Sequence, residues 1–294
     1  MKKNPKSITR IGLIGNAEKA SCGAVLAQAA RLNAKAGKKV FTDAITARLG
    51  GFKSEVFPDA AALARKVDVI VVFGGDGTML RVAREISGAQ TPLLGINIGG
   101  LGFLTAVPSD GLREAFNQIW RGNYSFEQRA LIAASFQSRN GIVHRTALND
   151  VVVSRGSVPR LIELEVRVNG EPLTRYRCDG LIVSSPTGST AYSLAAGGAV
   201  VSPTADVFAL TPISPHTLSN RSVILSLDSA ITVKVVNPTS STILSADGQT
   251  IAELTKGDAI TIKRSNHSVR LMKLNGSSFF QTLRAKLHWR GTNF

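Results

Sequence analysis

The stretch VDVIVVFGGDGTML (67–80) constrains the fold more than any other. Its first half is apolar without the alternation of a half-solvated strand, as in a strand buried on both faces of a parallel sheet. Its second half places three glycines around Asp76 and leads into TMLRVAREIS, whose spacing predicts a helix. The same succession recurs on both sides. IGLIGN (11–16) reads as a strand and is followed by a helical segment from about Ala20 to Lys35. KKVFTDA (38–44) and PLLGINI (92–98) read as further strands. DAAALARK (59–66) reads as a helix capped by Asp59, and SDGLREAFNQIW (109–120) as a helix capped by Ser109 or Asp110. Residues 1–124 therefore predict an α/β domain with a parallel, Rossmann-like sheet covered on both faces.

The period then changes. In IELEVRVNGEPL, Ile162, Leu164, Val166 and Val168 alternate with charged residues, and Asn169-Gly170 supplies a hairpin turn. ALIAASFQ, the turn RNG, IVHRTALNDVVVS, VILSLDSAITVKVV and DAITIKRSNHSVRLMKL are strand-like as well. STILSADGQTIAEL carries a second hairpin turn at Asp247-Gly248. Residues 125–272 thus predict an all-β, sandwich-like domain. The final segment SSFFQTLRAKLHW has helical spacing, and the tail 273–294 is assigned back to the first domain.

Charge narrows the partners. Thirty-five basic against 20 acidic residues give a formal charge of +15, which favours anionic partners: nucleic acid, membrane surface or phosphorylated small molecules. The basic residues are scattered, with richer ends: Lys2, Lys3, Lys6 and Arg10 at the start, and Lys263 to Arg290 with no acid after Asp258. Without interleaved aromatics they read as solvated tails, so neither nucleic acid nor membrane is expected as a partner. Cys22 and Cys178 lie far apart, as in a chain of a reducing compartment, and a cytoplasmic location is expected. The four histidines show no metal-ligand spacing, and HExxH, GxSxG, GxGxxG and the Walker A pattern are missing.

Three segments carry candidate chemistry. FGGDGT offers backbone N–H groups at a strand exit and helix start, a setting suited to phosphate, with Gly74, Gly75, Gly77 and Thr78 as the cradle. A tight turn with Asp76 as a cap accounts for one or two glycines but not for three around an acid. Arg81, one turn on, either reaches a phosphate or stands as a solvated surface arginine. INIGGLGFLT (96–105) puts a second glycine cluster at the same sheet edge. RCDGLIVSSPTGSTAYSLAAGG (177–198) runs from a strand into hydroxyl-rich residues and a helix from Thr190. Those hydroxyls serve as helix caps or as a surface for a base and ribose, with Asp150 and Asp179 as acceptors for a diol.

GGDGT (74–78), LND (148–150), DGLIVSSPTGSTAYSLAAGG (179–198), TPISPHTLSNR (211–221) and DGQ (247–249), in this order, resemble the NAD kinase family. GGDGT is shared with lipid kinases and phosphofructokinases; PTGSTAYSLAAGG is far more specific. The resemblance implies an α/β domain and a β domain enclosing a dinucleotide, and transfer of the γ-phosphoryl group of ATP or polyphosphate to the adenosine ribose 2′-hydroxyl of NAD. It implies Asp76 as general base with Gly77 beside it, and Asn149 and Asp150 as the pair contacting NAD. Asp179 matches the family acid before GLIV. Phe103, Arg160, Arg177 and Gln249 are further NAD contacts, and Thr187, Thr190, Ala191, Tyr192 and Ser193 line the adenosine side. It also implies Mg²⁺ carried with the nucleoside triphosphate, and a homodimer or homotetramer. A lipid or sugar kinase built on GGDGT, and a non-enzymatic sensor of NAD or nucleic acid, are the alternatives.

Overall fold

The computed structural model describes residues 8–105, 107–138, 141–158, 160–216, 221–237 and 242–289. Lys2, Lys3, Lys6, Arg290, the first two residues of the RNG turn and residues 217–220 of the TPISPHTLSNR motif lie outside the described residues. The chain divides into two compact units. One comprises residues up to Gln128 together with those from Val269 onward, the other Arg129–Ser268.

In the first unit, Arg10–Gly15 lies between Lys39–Asp43 and Val69–Gly74, with Glu55–Phe57 beyond the former and Leu93–Asn97 beyond the latter. These pairs are parallel, and Leu271 joins beside Leu93 in the same sense. Every residue of Val69–Gly74 and Leu93–Asn97 is buried, as continuous apolar strands require. On one face, helices Cys22–Lys35 and Leu112–Arg121 pack Leu26, Ala29, Phe116 and Ile119 against Leu13, Val71 and Ile96. Asp59 caps Ala60–Ala64 as expected, accepting from the Ala62 amide at 2.7 Å. The caps expected at residues 109–110 are not used. Ser109–Gly111 forms a 3₁₀ turn, and Gly111 stands at the cap of the helix without a side-chain bond. A 3₁₀ lead-in satisfies early amides by tightening the turn instead.

The second unit is a sandwich of two antiparallel sheets. One runs Glu171–Cys178, Ile162–Val168, Ile231–Asn237 and the first part of Ala259–Leu274. The other runs Val223–Ser226, Val207–Ile213, Gly180–Ser184, Asp150–Arg155, Thr242–Ala246 and Gln249–Leu254. Leu164, Val166, Val233 and Ile260 of the first share one core with Val151, Val153, Leu181, Phe208 and Leu244 of the second. Asn169 (φ 52°) and Gly170 (φ 87°) are both left-handed, as are Asp247 (φ 47°) and Gly248 (φ 75°), so both expected two-residue hairpins form. The helix expected from Thr190 is shorter than its sequence suggests: Thr187–Thr190 is 3₁₀, and only Tyr192–Ala195 is α-helical. Ser185, Ser189 and Thr190 bond nearby carbonyls and amides, competing with a longer helix.

Candidate active site

The glycine loop after Val69–Gly74 is built around Asp76. Asp76 does not cap the helix; Gly75 holds the cap position, and Asp76 is the first residue of Asp76–Glu85. Its carboxylate is instead captured by the second glycine cluster. Oδ2 accepts from the Phe103 amide at 2.8 Å, and Oδ1 accepts from the amides of Leu104 and Thr105 at 3.0 and 3.1 Å and from the Thr105 hydroxyl at 3.1 Å. Gly102 makes this possible, because a Cβ there would sit 2.1 Å from Oδ1. A carboxylate offers about four lone-pair positions. Oδ1 is saturated by three donors, and Oδ2, with one, keeps an acceptor position.

The surroundings explain the spacing of the glycines. A side chain at Gly74 would strike the Thr78 hydroxyl at 2.3 Å, whereas Gly75 and Gly77 face open space. Thr78 is buried and accepts from Asn16 Nδ2 at 3.2 Å. Arg81 is ion-paired with Glu85 at 3.0 Å one turn along the helix, an exposed pair of small energetic weight. The terminal helix Phe279–Leu287 closes on the second loop: Lys286 Nζ donates to the Leu101 carbonyl at 2.8 Å, and the Phe103 and Phe279 rings lie 6.4 Å apart.

In the second unit the LND segment is held by Asp247, which the sequence marked as a turn residue of the DGQ motif and not as a support for LND. Asp247 accepts from the amides of Leu148, Asn149 and Asp150 at 2.9, 2.7 and 3.3 Å. From the other side, the Ser185 amide donates to the Asn149 carbonyl at 2.8 Å, and the Ser185 hydroxyl donates to the Leu148 carbonyl. Asp150 is 4% exposed, and its carboxyl is pushed up to about 7, first by burial and then by the charge of Asp247. Gly188 stacks its Cα on this segment so closely that a Cβ would lie 2.1 Å from the Asn149 carbonyl oxygen. Gly188→Ala is therefore expected to lower stability by about 1–3 kcal/mol, the usual penalty of overpacking. Thermal denaturation checks this, and an unchanged Tm would refute it.

The remaining expected residues fall into two groups. Thr187 is buried and accepts from Arg129 Nη1 at 3.2 Å, and Ser193 is buried with its hydroxyl 3.0 Å from that of Thr211. Thr190 donates to the Thr187 carbonyl at 3.3 Å, and Ala191 follows it half-buried. Tyr192 is 48% exposed, and Arg160, Arg177 and Gln249 are exposed too. Asp179 carries an ion pair unseen in the sequence, with Arg155 Nε donating to its Oδ1 at 2.6 Å. Cys178, beside it, is buried, and its thiol is pushed up to about 12, which leaves it unreactive. Among the described residues, no group of three or more His, Cys, Asp or Glu is placed to hold a metal ion, and no helix is long and apolar enough to cross a membrane.

Residues 27–124 match the ATP-NAD kinase N-terminal domain and residues 148–274 the ATP-NAD kinase C-terminal domain. The chain belongs to the NAD kinase family. It is 41% identical over 241 residues to an NAD kinase of Geobacter metallireducens, covering 81% of this chain and 83% of that protein. It is 39% identical over 282 residues to an NAD kinase of Methylibium petroleiphilum, covering 94% and 93%. Among solved structures it resembles yeast NADH kinase complexed with NADH, with a TM-score of 0.87 and 25% identity over 99% of this chain and 90% of that one. It also resembles an NAD kinase from Archaeoglobus fulgidus in complex with ATP, with a TM-score of 0.73 and 25% identity over 96% and 100%. Within this NAD kinase fold, the N-terminal family domain contains the Asp76 loop, and the C-terminal one contains every candidate from Asn149 to Gln249.

Proposed function

We propose that the chain is an NAD kinase that transfers the γ-phosphoryl group of ATP to the 2′-hydroxyl of the adenosine ribose of NAD, giving NADP and ADP. Membership of the NAD kinase family across both domains carries this reading. A lipid or sugar kinase shares GGDGT but gives no account of the match over residues 148–274.

A ribose hydroxyl ionises far above neutral pH, so its attack on phosphorus requires a base within hydrogen-bond reach. Asp76 takes that role, since its Oδ2 retains an acceptor position. As the bond from the ribose oxygen to phosphorus forms, the bond to the ADP oxygen breaks and the hydroxyl proton passes to Asp76. Gly75 and Gly77, facing open space, admit the triphosphate to the backbone amides at the helix start. The substrate is the Mg²⁺ complex of ATP, whose cation offsets charge on the phosphate oxygens. Asn149 and Asp150, with Asp179, Tyr192 and the neighbouring hydroxyls, bind NAD. The buried free thiols Cys22 and Cys178 suit a reducing cytoplasm, and the assembly is a homodimer or homotetramer, which light scattering measures directly.

Purified protein supplied with Mg²⁺ and each pairing of ATP or polyphosphate with NAD or NADH tests the reaction. ATP with NAD is expected to give NADP, read by an NADP-specific dehydrogenase. No phosphorylated dinucleotide from any pairing would overturn the proposal.

A further inference from the structure

Thr105 ends the second glycine segment and was assigned no role of its own, yet it is fully buried and supplies a side-chain bond to Asp76. Its hydroxyl has one proton and two lone pairs. Asn97 Nδ2 donates to the Thr105 oxygen at 2.8 Å, so that oxygen acts there as acceptor, and its single proton is directed to Asp76 Oδ1 at 3.1 Å. Asn97, itself 3% exposed, is held by a second donation from Nδ2 to the Gly100 carbonyl at 2.7 Å. The chain Asn97 to Thr105 to Asp76 therefore has one polarity, and it ends on the oxygen that also accepts from two amides.

Two backbone amides would hold a carboxylate oxygen without help, so the added hydroxyl does something more specific. Together with the Phe103 amide on Oδ2, it restrains rotation of the carboxylate plane about the Cβ–Cγ bond, a soft torsion in aspartate. We infer that Thr105, anchored by Asn97, is a positioning residue for phosphoryl transfer: it locks Oδ1 in the loop and leaves Oδ2 as the oxygen that takes the ribose proton. The inference rests on the reading of Asp76 as the base. Small misplacement of a catalytic group costs rate rather than substrate binding, because the ground-state contacts are made by other residues.

Reciprocal variants separate position from packing. Thr105→Val keeps the shape and removes the hydroxyl; Thr105→Ser removes the methyl and keeps the hydroxyl. Thr105→Val is expected to lower kcat by about 10- to 100-fold with both KM values within about twofold of wild type, and Thr105→Ser to restore most of kcat. In an Asp76→Asn background, Thr105→Val is expected to cause no further loss. Equal losses in the two single variants, or KM values that rise together with the fall in kcat, would mean that Thr105 only packs, and would overturn the inference. Should Thr105→Val not fold, Thr105→Ala set against Thr105→Ser makes the same comparison. Failure of the underlying reading has a different signature: Asp76→Asn alone would then keep its turnover. An inactive Asp76→Asn beside a fully active Thr105→Val would sink the positioning role alone.

Discussion

Asp76→Asn is expected to lower kcat by about 10²- to 10⁴-fold, the range that a positioned general base supplies. NAD affinity, measured by calorimetry, should stay close to wild type, since the residues proposed to bind NAD are untouched. The structure adds a second consequence. The carboxamide can keep its oxygen at the Oδ1 position, under the amides of Leu104 and Thr105 and the Thr105 hydroxyl. Its NH₂ then faces the Phe103 N–H, which now donates to Oδ2. A donor against a donor in a half-buried place loses one bond and costs about 1–3 kcal/mol. Tm should therefore fall by several degrees, and turnover must be read well below the transition to separate the two effects. Near-normal kcat in a folded Asp76→Asn protein would remove Asp76 from the base role, whatever its Tm.

The bonds that Asp76 gathers also show where sequence reasoning runs out. FGGDGT announced a loop stripped of side chains around one acid, and the strand and helix flanking it follow from apolar continuity and helical spacing. The two hairpins were legible because Asn-Gly and Asp-Gly tolerate the left-handed conformation that their turns demand. Such signals are local. The partners of Asp76 lie 27 to 29 residues away, and those of Asp247 lie 97 to 99 residues away. No periodicity encodes a carboxylate that gathers backbone amides from another loop, because the donors are main-chain groups present at almost every residue. Asp247 was legible as the first residue of a hairpin turn and invisible as the post that holds Leu148–Asp150. Arg155 and Thr105 were hidden likewise: a strand arginine and a loop threonine acquire meaning only from what the fold sets opposite them. The lost cap at residues 109–110 is the converse case, a correct local preference overridden by a tighter local turn.

Asp150 provides a test of what that fold costs. Its carboxyl is raised from 3.8 to about 7 by burial and by Asp247. A carboxyl raised in the folded state contributes stability that is complete below its unfolded value, near 3.8, and is lost as pH climbs through about 7. The protein should therefore be progressively destabilised between about pH 4 and pH 8 by this group, with a total on the order of 4 kcal/mol from a shift of this size. Asp150→Asn carries no charge to bury, so it escapes the penalty. Its Tm is expected to match wild type near pH 4 and to exceed it increasingly as pH rises to 8, by about 2–4 °C per kcal/mol in a chain of this size. Comparing the two proteins at each pH cancels the titrating groups remote from Asp150 and leaves Asp150 with its neighbour Asp247. A Tm difference that stays flat from pH 4 to pH 8 would show that Asp150 titrates normally and is not the strained member of the pair. The same variant should raise KM for NAD more than KM for ATP, since Asp150 is assigned to the dinucleotide. A protein that gains stability at alkaline pH by the change that weakens its substrate binding would show why an acid is kept in this place: the buried charge costs folding energy and is retained for the ligand.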